Sequence, residues 1–149
     1  AQVIVGIMEY RKGNTFGTVA FTSYGFFWLS LVLLLLLPKM AFFNGLSIPS
    51  ETSMAAFFLM WGFFSFAMFF GTLKSNRTLQ FVFFSLVILF VMLGIRELTG
   101  NPLLFGNVTF NTIVGIEGVI CGASAIYLAV AEVINEVHGR SILPLFLKN

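Results

Sequence analysis

The chain has 149 residues, 58% of them hydrophobic and only 9% charged, with a mean hydropathy of +0.99 and a formal charge of +2. A water-soluble domain carries about 25% charged residues, and no aqueous surface of this size could hide 20 Phe. A soluble fold is excluded, and the expected class is an all-α membrane protein embedded in the lipid bilayer.

The first stretch, Ala1–Tyr10, is apolar but short, whereas crossing the hydrocarbon core takes roughly 20 residues. It has no basic n-region of a signal peptide and reads as the end of a helix whose start is missing. Four full-length apolar segments follow at about Thr15–Leu37, Thr52–Thr72, Leu79–Ile95 and Val108–Val133. Pro38 stops the first of these, and Asn44-Gly45 and Pro49 mark the loop after it. Ser50 ahead of Glu51 suits the N-cap of the next helix. Lys74-Ser75-Asn76-Arg77 is a short polar connection, and Arg96 through Asn107, with Gly100-Asn101-Pro102, reads as the last loop. Membrane strands would alternate apolar and polar residues, but Phe81–Leu93 is apolar almost throughout. Helices also satisfy their backbone groups internally, as lipid requires.

The eight Lys and Arg lie singly or in pairs between apolar runs. That is the pattern of topology determinants, and it argues against a nucleic-acid partner. If successive helices alternate direction, Arg11, Lys12, Lys74, Arg77, Arg140 and Lys148 share one side, and Lys39 and Arg96 the other. The richer side is expected to be cytoplasmic, which puts the C-terminus inside. A single Cys121 excludes an intrachain disulfide framework, and the lone His138 without a Cys/His cluster argues against a metal site. No metal or other cofactor is expected. Enzyme signatures such as HExxH, a Walker loop or GxSxG are missing, so the chain does not read as an enzyme. The glycosylation matches Asn76-Arg77-Thr78 and Asn107-Val108-Thr109 are too short to carry weight.

Several residues could carry chemistry. On the last helix Gly115, Gly118, Gly122, Ala125 and Ala129 fall in one narrow arc at about 100° per residue. The Gly118–Gly122 step would let another backbone approach, and helix packing is its plainest use. Glu117, Cys121 and Ser124 border the arc. On the first full helix Asn14, Thr18, Phe21 and Gly25 share a face, with Thr22 at one edge and Tyr24 at the other, and Gly13 and Gly17 form a second close-approach step. The hydroxyls of Thr18 and Thr22 can satisfy themselves on carbonyls of their own helix. Tyr24 sits too deep for the interfacial aromatic belt, so its hydroxyl needs another helix or a polar solute. Glu117 is the sharpest feature, because an ionisable group within a span costs roughly 2.5–3.5 kcal/mol on insertion scales. Burial disfavours its charged form, so it is expected to be neutral, as a structural hydrogen-bond donor or a proton-coupling group. Glu9, Glu132 and Glu136 lie beside basic residues and read as interfacial.

Blocks spread over nearly the whole chain resemble the acetate uptake transporter family, the succinate–acetate permease-like proteins. They are Glu9-Tyr10-Arg11-Lys12-Gly13-Asn14-Thr15-Phe16-Gly17, Ala20-Phe21-Thr22-Ser23-Tyr24-Gly25 and Phe27-Trp28-Leu29; Phe69-Phe70-Gly71-Thr72-Leu73-Lys74 with Leu79-Gln80-Phe81-Val82-Phe83-Phe84-Ser85-Leu86; and Ile120-Cys121-Gly122-Ala123-Ser124-Ala125-Ile126-Tyr127-Leu128-Ala129 with Glu132-Val133-Ile134-Asn135-Glu136. The resemblance implies a six-helix bundle with both ends cytoplasmic, of which about four full helices and the end of another stand here. It implies a homohexamer in the plasma or inner membrane, each protomer with its own pathway. It identifies Tyr24, Leu86 and Ala125 as residues that line or narrow that pathway, with Thr22, Ser124 and Glu117 as polar neighbours of it. The family's first-helix signature, Asn-Pro-Ala-Pro-Leu-Gly, is absent. The expectation is therefore one transmembrane transporter domain over residues 1–149, N-terminally incomplete. It would pass acetate and other small carboxylates, succinate included, as an anion channel or by proton symport. The alternative is a helical membrane assembly or receptor-like protein that transports nothing and whose small-residue faces only pack subunits.

Overall fold

The computed structural model describes residues 1–40, 42, 46–100, 102–105 and 108–146. Asn44-Gly45 and Asn101 of the expected loops, Asn107 of a glycosylation match and Lys148 of the basic side lie outside them. The described residues form helices α1 (Gln2–Arg11), α2 (Thr15–Leu36), α3 (Glu51–Thr72), α4 (Arg77–Thr99) and α5 (Phe110–His138), with short strands β1 (Leu103–Phe105) and β2 (Val108–Thr109). Four of these helices are long and apolar enough to cross a membrane; the 22 residues of α2 extend about 33 Å against a hydrocarbon core of about 30 Å. Side chains such as Phe63 (68% exposed) and Val119 (72%) face outward at a scale only lipid tolerates. Two compact units, Ala1–Ser50 and Glu51–Asn149, are described in turn.

In the first unit α1 and α2 make an antiparallel hairpin: Gly6 lies against Thr22, and Gly25 against Val3. A Cβ on Gly6 would collide with the Thr22 side chain and stand 2.9 Å from its backbone nitrogen, so this crossing is close enough to need glycine. Gly13 turns the chain at φ +73°, a conformation that costs a residue with a Cβ. Asn14 then caps α2, accepting the Gly17 N–H at 3.0 Å, and its amide donates to Glu9 Oε2 at 2.6 Å. The same carboxylate pairs with Lys12 at 3.5 Å. Glu9 is thus spent on knotting the hairpin turn. Gly17 packs on this knot, near the side chains of Asn14 and Glu9, while an added Cβ on Gly13 meets nothing within 4 Å among the described residues. The α-helix ends at Leu36 and tightens into a 3-10 turn, Leu37–Lys39, around Pro38, as the missing proline N–H requires.

In the second unit α3 and α4 cross at Gly62, near Phe90, and at Gly94, which lies against Leu59 and 3.4 Å (as an added Cβ) from the Ala55 carbonyl. Ala55, Phe58, Phe83 and Phe90 are buried along this seam. Between these helices the Gln80 amide donates to the carbonyls of Thr72, Leu73 and Ser75 at 3.2–3.3 Å, covering orphan groups of the α3 C-terminus. Asn76 caps α4 by accepting the Leu79 N–H at 2.7 Å. The helix runs on to Thr99, beyond the expected end at Ile95. Arg96 pairs with Glu97 and donates to Asn111 Oδ1 at 3.2 Å, so its charge is met without breaking the helix, and Gly100 at φ +69° ends it instead.

The expected last loop holds a two-residue antiparallel ladder, Leu103 opposite Thr109 and Phe105 opposite Val108. It delays the start of α5 to Phe110, capped by Thr109. The helix continues past Val133 to His138, where Gly139 adopts φ +61°. Beyond it the chain folds back. Asn135 accepts the N–H groups of Ile142 and Leu143 and donates to the Leu143 carbonyl, Tyr127 donates to Pro144 O at 2.8 Å, and the Arg77 N–H donates to Phe146 O at 3.1 Å. The start of α4 and the segment after α5 therefore share one end of this unit.

Gly6→Ala is expected to lower stability by about 1–3 kcal/mol, the cost of forcing bulk into a filled contact, read as a lower melting temperature in detergent. An unchanged melting temperature would mean that α1 and α2 are not in close contact at Gly6.

Candidate functional site

The residues singled out by the sequence fall on three helices. Thr22 and Tyr24 are half-buried on α2 in the first unit. Thr22 sits under Gly6 of α1, so hairpin packing accounts for part of its environment. Thr18 donates to the Asn14 carbonyl at 2.8 Å, the self-satisfaction expected of a threonine in lipid.

In the second unit Leu86 is half-buried on α4, and Glu117 and Ser124 are half-buried on α5. Ala125 is exposed within this unit. The small-residue arc is open here as well: an added Cβ on Gly115 or Gly122 meets nothing within 4 Å, and one on Gly118 only Leu89 at 3.7 Å. Among the described residues no backbone of this unit uses the Gly118–Gly122 step; the close approaches fall on Gly62 and Gly94 instead. Ser124 donates to the Cys121 carbonyl at 2.7 Å.

Glu117 has a direct partner on another helix. Ser85 of α4, only 2% exposed, donates its hydroxyl to Glu117 Oε1 at 2.6 Å, and the buried Cys121 thiol lies beside the same serine. This places a hydroxyl and a carboxyl together inside an apolar bundle, one residue before Leu86. Sequence reasoning assigned Ser85 no role. The available signal was a hydroxyl residue inside the otherwise apolar run Phe81–Leu93.

Four apolar helices of spanning length, bearing outward-facing aromatic and β-branched side chains and one buried hydroxyl–carboxyl contact, define a polytopic α-helical membrane protein. The profile of the GPR1/FUN34/yaaH family matches residues 1–146, and the chain belongs to that family. It is 50% identical over 145 residues to the succinate-acetate/proton symporter SatP of Escherichia coli (strain K12), covering 97% of this chain and 72% of that protein. A solved structure of the bacterial acetate channel SatP superposes with a TM-score of 0.87 at 49% identity, over 97% of this chain and 75% of the other. A more distant relative, acetate permease A of Emericella nidulans, is 28% identical over 96% of this chain and 50% of its own length. The family resemblance carried by the motif blocks is borne out.

Because Ala125 is exposed within its unit, a leucine there should displace no packed neighbour. Ala125→Leu is expected to leave stability within about 0.5 kcal/mol of the parent, by thermal melting in detergent. Loss of assembled protein would make Ala125 a packing residue.

Proposed function

We propose that this protein passes acetate and other small carboxylates, succinate among them, across the cell membrane. The observation that carries the reading is 50% identity over 97% of the chain to a protein named as a succinate-acetate/proton symporter. The 0.87 TM-score to a structure titled as an acetate channel supports it. Those two names differ in energetics, channel against proton symport, and both modes share the physical requirements below. The reading includes a homohexamer with one pathway per protomer, by family resemblance, and a cytoplasmic C-terminus, by the excess of basic residues on that side.

Tyr24, Leu86 and Ala125 are the proposed pathway residues. Leu86 and Ala125 are apolar and size-select, and Tyr24 adds a hydroxyl. Thr22, Ser124 and Glu117 are the proposed polar neighbours. No Lys or Arg lies in the middle of α2, α3, α4 or α5, so a carboxylate is held weakly and can leave, as conduction requires. An ionised Glu117 at the pathway would repel a carboxylate, the more so in a low dielectric.

Labelled-acetate uptake into proteoliposomes, with pH and voltage clamped independently, tests the whole reading. Voltage-driven flux without proton movement marks a channel, and flux driven by a proton gradient at zero voltage marks symport. The absence of flux would leave the non-transporting assembly.

Leu86→Val removes one methylene-sized group and should raise lactate flux relative to acetate. Unchanged selectivity at normal expression would remove Leu86 from the constriction. Glu117→Gln keeps shape and hydrogen bonding but cannot titrate, so it should flatten the pH dependence of acetate flux. A pH profile identical to the parent's would reduce Glu117 to a structural partner of Ser85.

A further inference from the structure

We propose that Ser85 is a positioning residue for solute selection: its hydrogen bond to Glu117 holds α4 and α5 at the rotation that presents Leu86 and Ala125 to the solute. The proposal rests on the reading above that these two residues line the pathway.

The first ground is where the hydroxyl goes. Serine and threonine in an apolar helix ordinarily donate to a carbonyl of the preceding turn, and Ser30, Ser65, Thr72, Thr99 and Ser124 do so here at 2.6–2.9 Å. Ser85 instead reaches across to another helix and finds a carboxyl at 2.6 Å. With 2% of its surface exposed, it has no solvent to turn to.

The second ground is the kind of seam this bond crosses. Between α3 and α4, Gly62 and Gly94 seat the neighbouring side chains and, at Gly94, approach a backbone carbonyl, and such interlock resists rotation. Between α4 and α5 the glycine arc supplies only the ordinary 3.7 Å contact of Gly118 with Leu89. Of the buried residues of α5, Val114, Leu128 and Ala131 pack without directional preference, and the Cys121 thiol meets Ser85 itself. A hydrogen bond has a preferred line and length; Arg96 to Asn111 supplies one at the far end of this seam, and at the level of Leu86 the directional restraint comes from Ser85 and Glu117.

The third ground is helical arithmetic. Leu86 follows Ser85 by one residue, a rotation of about 100° and a rise of about 1.5 Å, so fixing Ser85 fixes the heading of Leu86. On α5, seven residues make about two turns, which sets Ser124 almost directly over Glu117 along the helix. Ala125 follows Ser124 as Leu86 follows Ser85. Each proposed selectivity residue is thus one step round from the face that the bond pins.

The test is the acetate-to-lactate flux ratio in proteoliposomes for variants matched for expression and melting temperature. Ser85→Ala and Glu117→Ala each delete the bond and should lower the ratio by roughly threefold, the bias that an average interhelical hydrogen bond can impose. The double variant should do no more than either single one, as expected of partners in one contact. Ser85→Thr keeps the hydroxyl and Glu117→Gln keeps an acceptor oxygen, so both should restore the parental ratio, whatever Glu117→Gln does to the pH profile. Leu86→Val is the control: if it leaves the ratio unchanged, the pathway reading fails and this inference falls with it. If Leu86→Val shifts the ratio but Ser85→Ala and Glu117→Ala do not, the positioning role alone is overturned. Failure of both deletion variants to fold would make the bond a stability element and overturn the role as well.

Discussion

A backbone N–H or carbonyl in hydrocarbon has no water to bind, and leaving one unpaired costs several kcal/mol. That constraint explains why the apolar length of this chain is helical and why its polar side chains gather where helices begin and end. Asn14, Asn76 and Thr109 each cap a helix start. Gln80 covers three carbonyls at the close of α3, and Asn135 satisfies the segment that folds back after α5. Residues that look like spare polarity in a hydrophobic sequence are largely occupied in closing backbone ends.

Lipid also removes the hydrophobic drive between helices, so close contact depends on small residues and shape. Glycine does this work unevenly. Gly6 and Gly25 let α1 and α2 approach within the first unit, and Gly62 and Gly94 do the same for α3 and α4 in the second. The most regular small-residue arc, from Gly115 to Ala129, meets its own unit at Gly118, against Leu89 of α4, while an added Cβ on Gly115 or Gly122 meets nothing within 4 Å among the described residues.

Against this background a carboxyl and a hydroxyl paired across α4 and α5 stand out. Thr18, Ser30, Ser65, Thr72, Thr99 and Ser124 return their hydroxyls to their own backbone, which makes them polar in composition but nearly apolar in effect. Ser85 and Glu117 couple two helices directionally.

Composition and periodicity sufficed for the membrane class, the four spans and most of their ends, because spanning length and backbone satisfaction are properties of a chain segment in lipid. Motif blocks such as Phe-Thr-Ser-Tyr-Gly around Tyr24 and Phe-Phe-Ser-Leu around Leu86 were enough to reach the family, since their spacing survives in one dimension. The ends that differed were set by contacts across the fold and by one glycine: Arg96 is met by Asn111 and α4 runs on to Gly100, and a small backbone ladder postpones α5. Glu117 was legible as an anomaly because charge in a span is costly wherever it points. Its partner was not, because a serine in an apolar run has two outlets of similar strength, its own carbonyls and a neighbouring helix. Only tertiary structure decides between them, by bringing α5 to within 2.6 Å of the Ser85 hydroxyl.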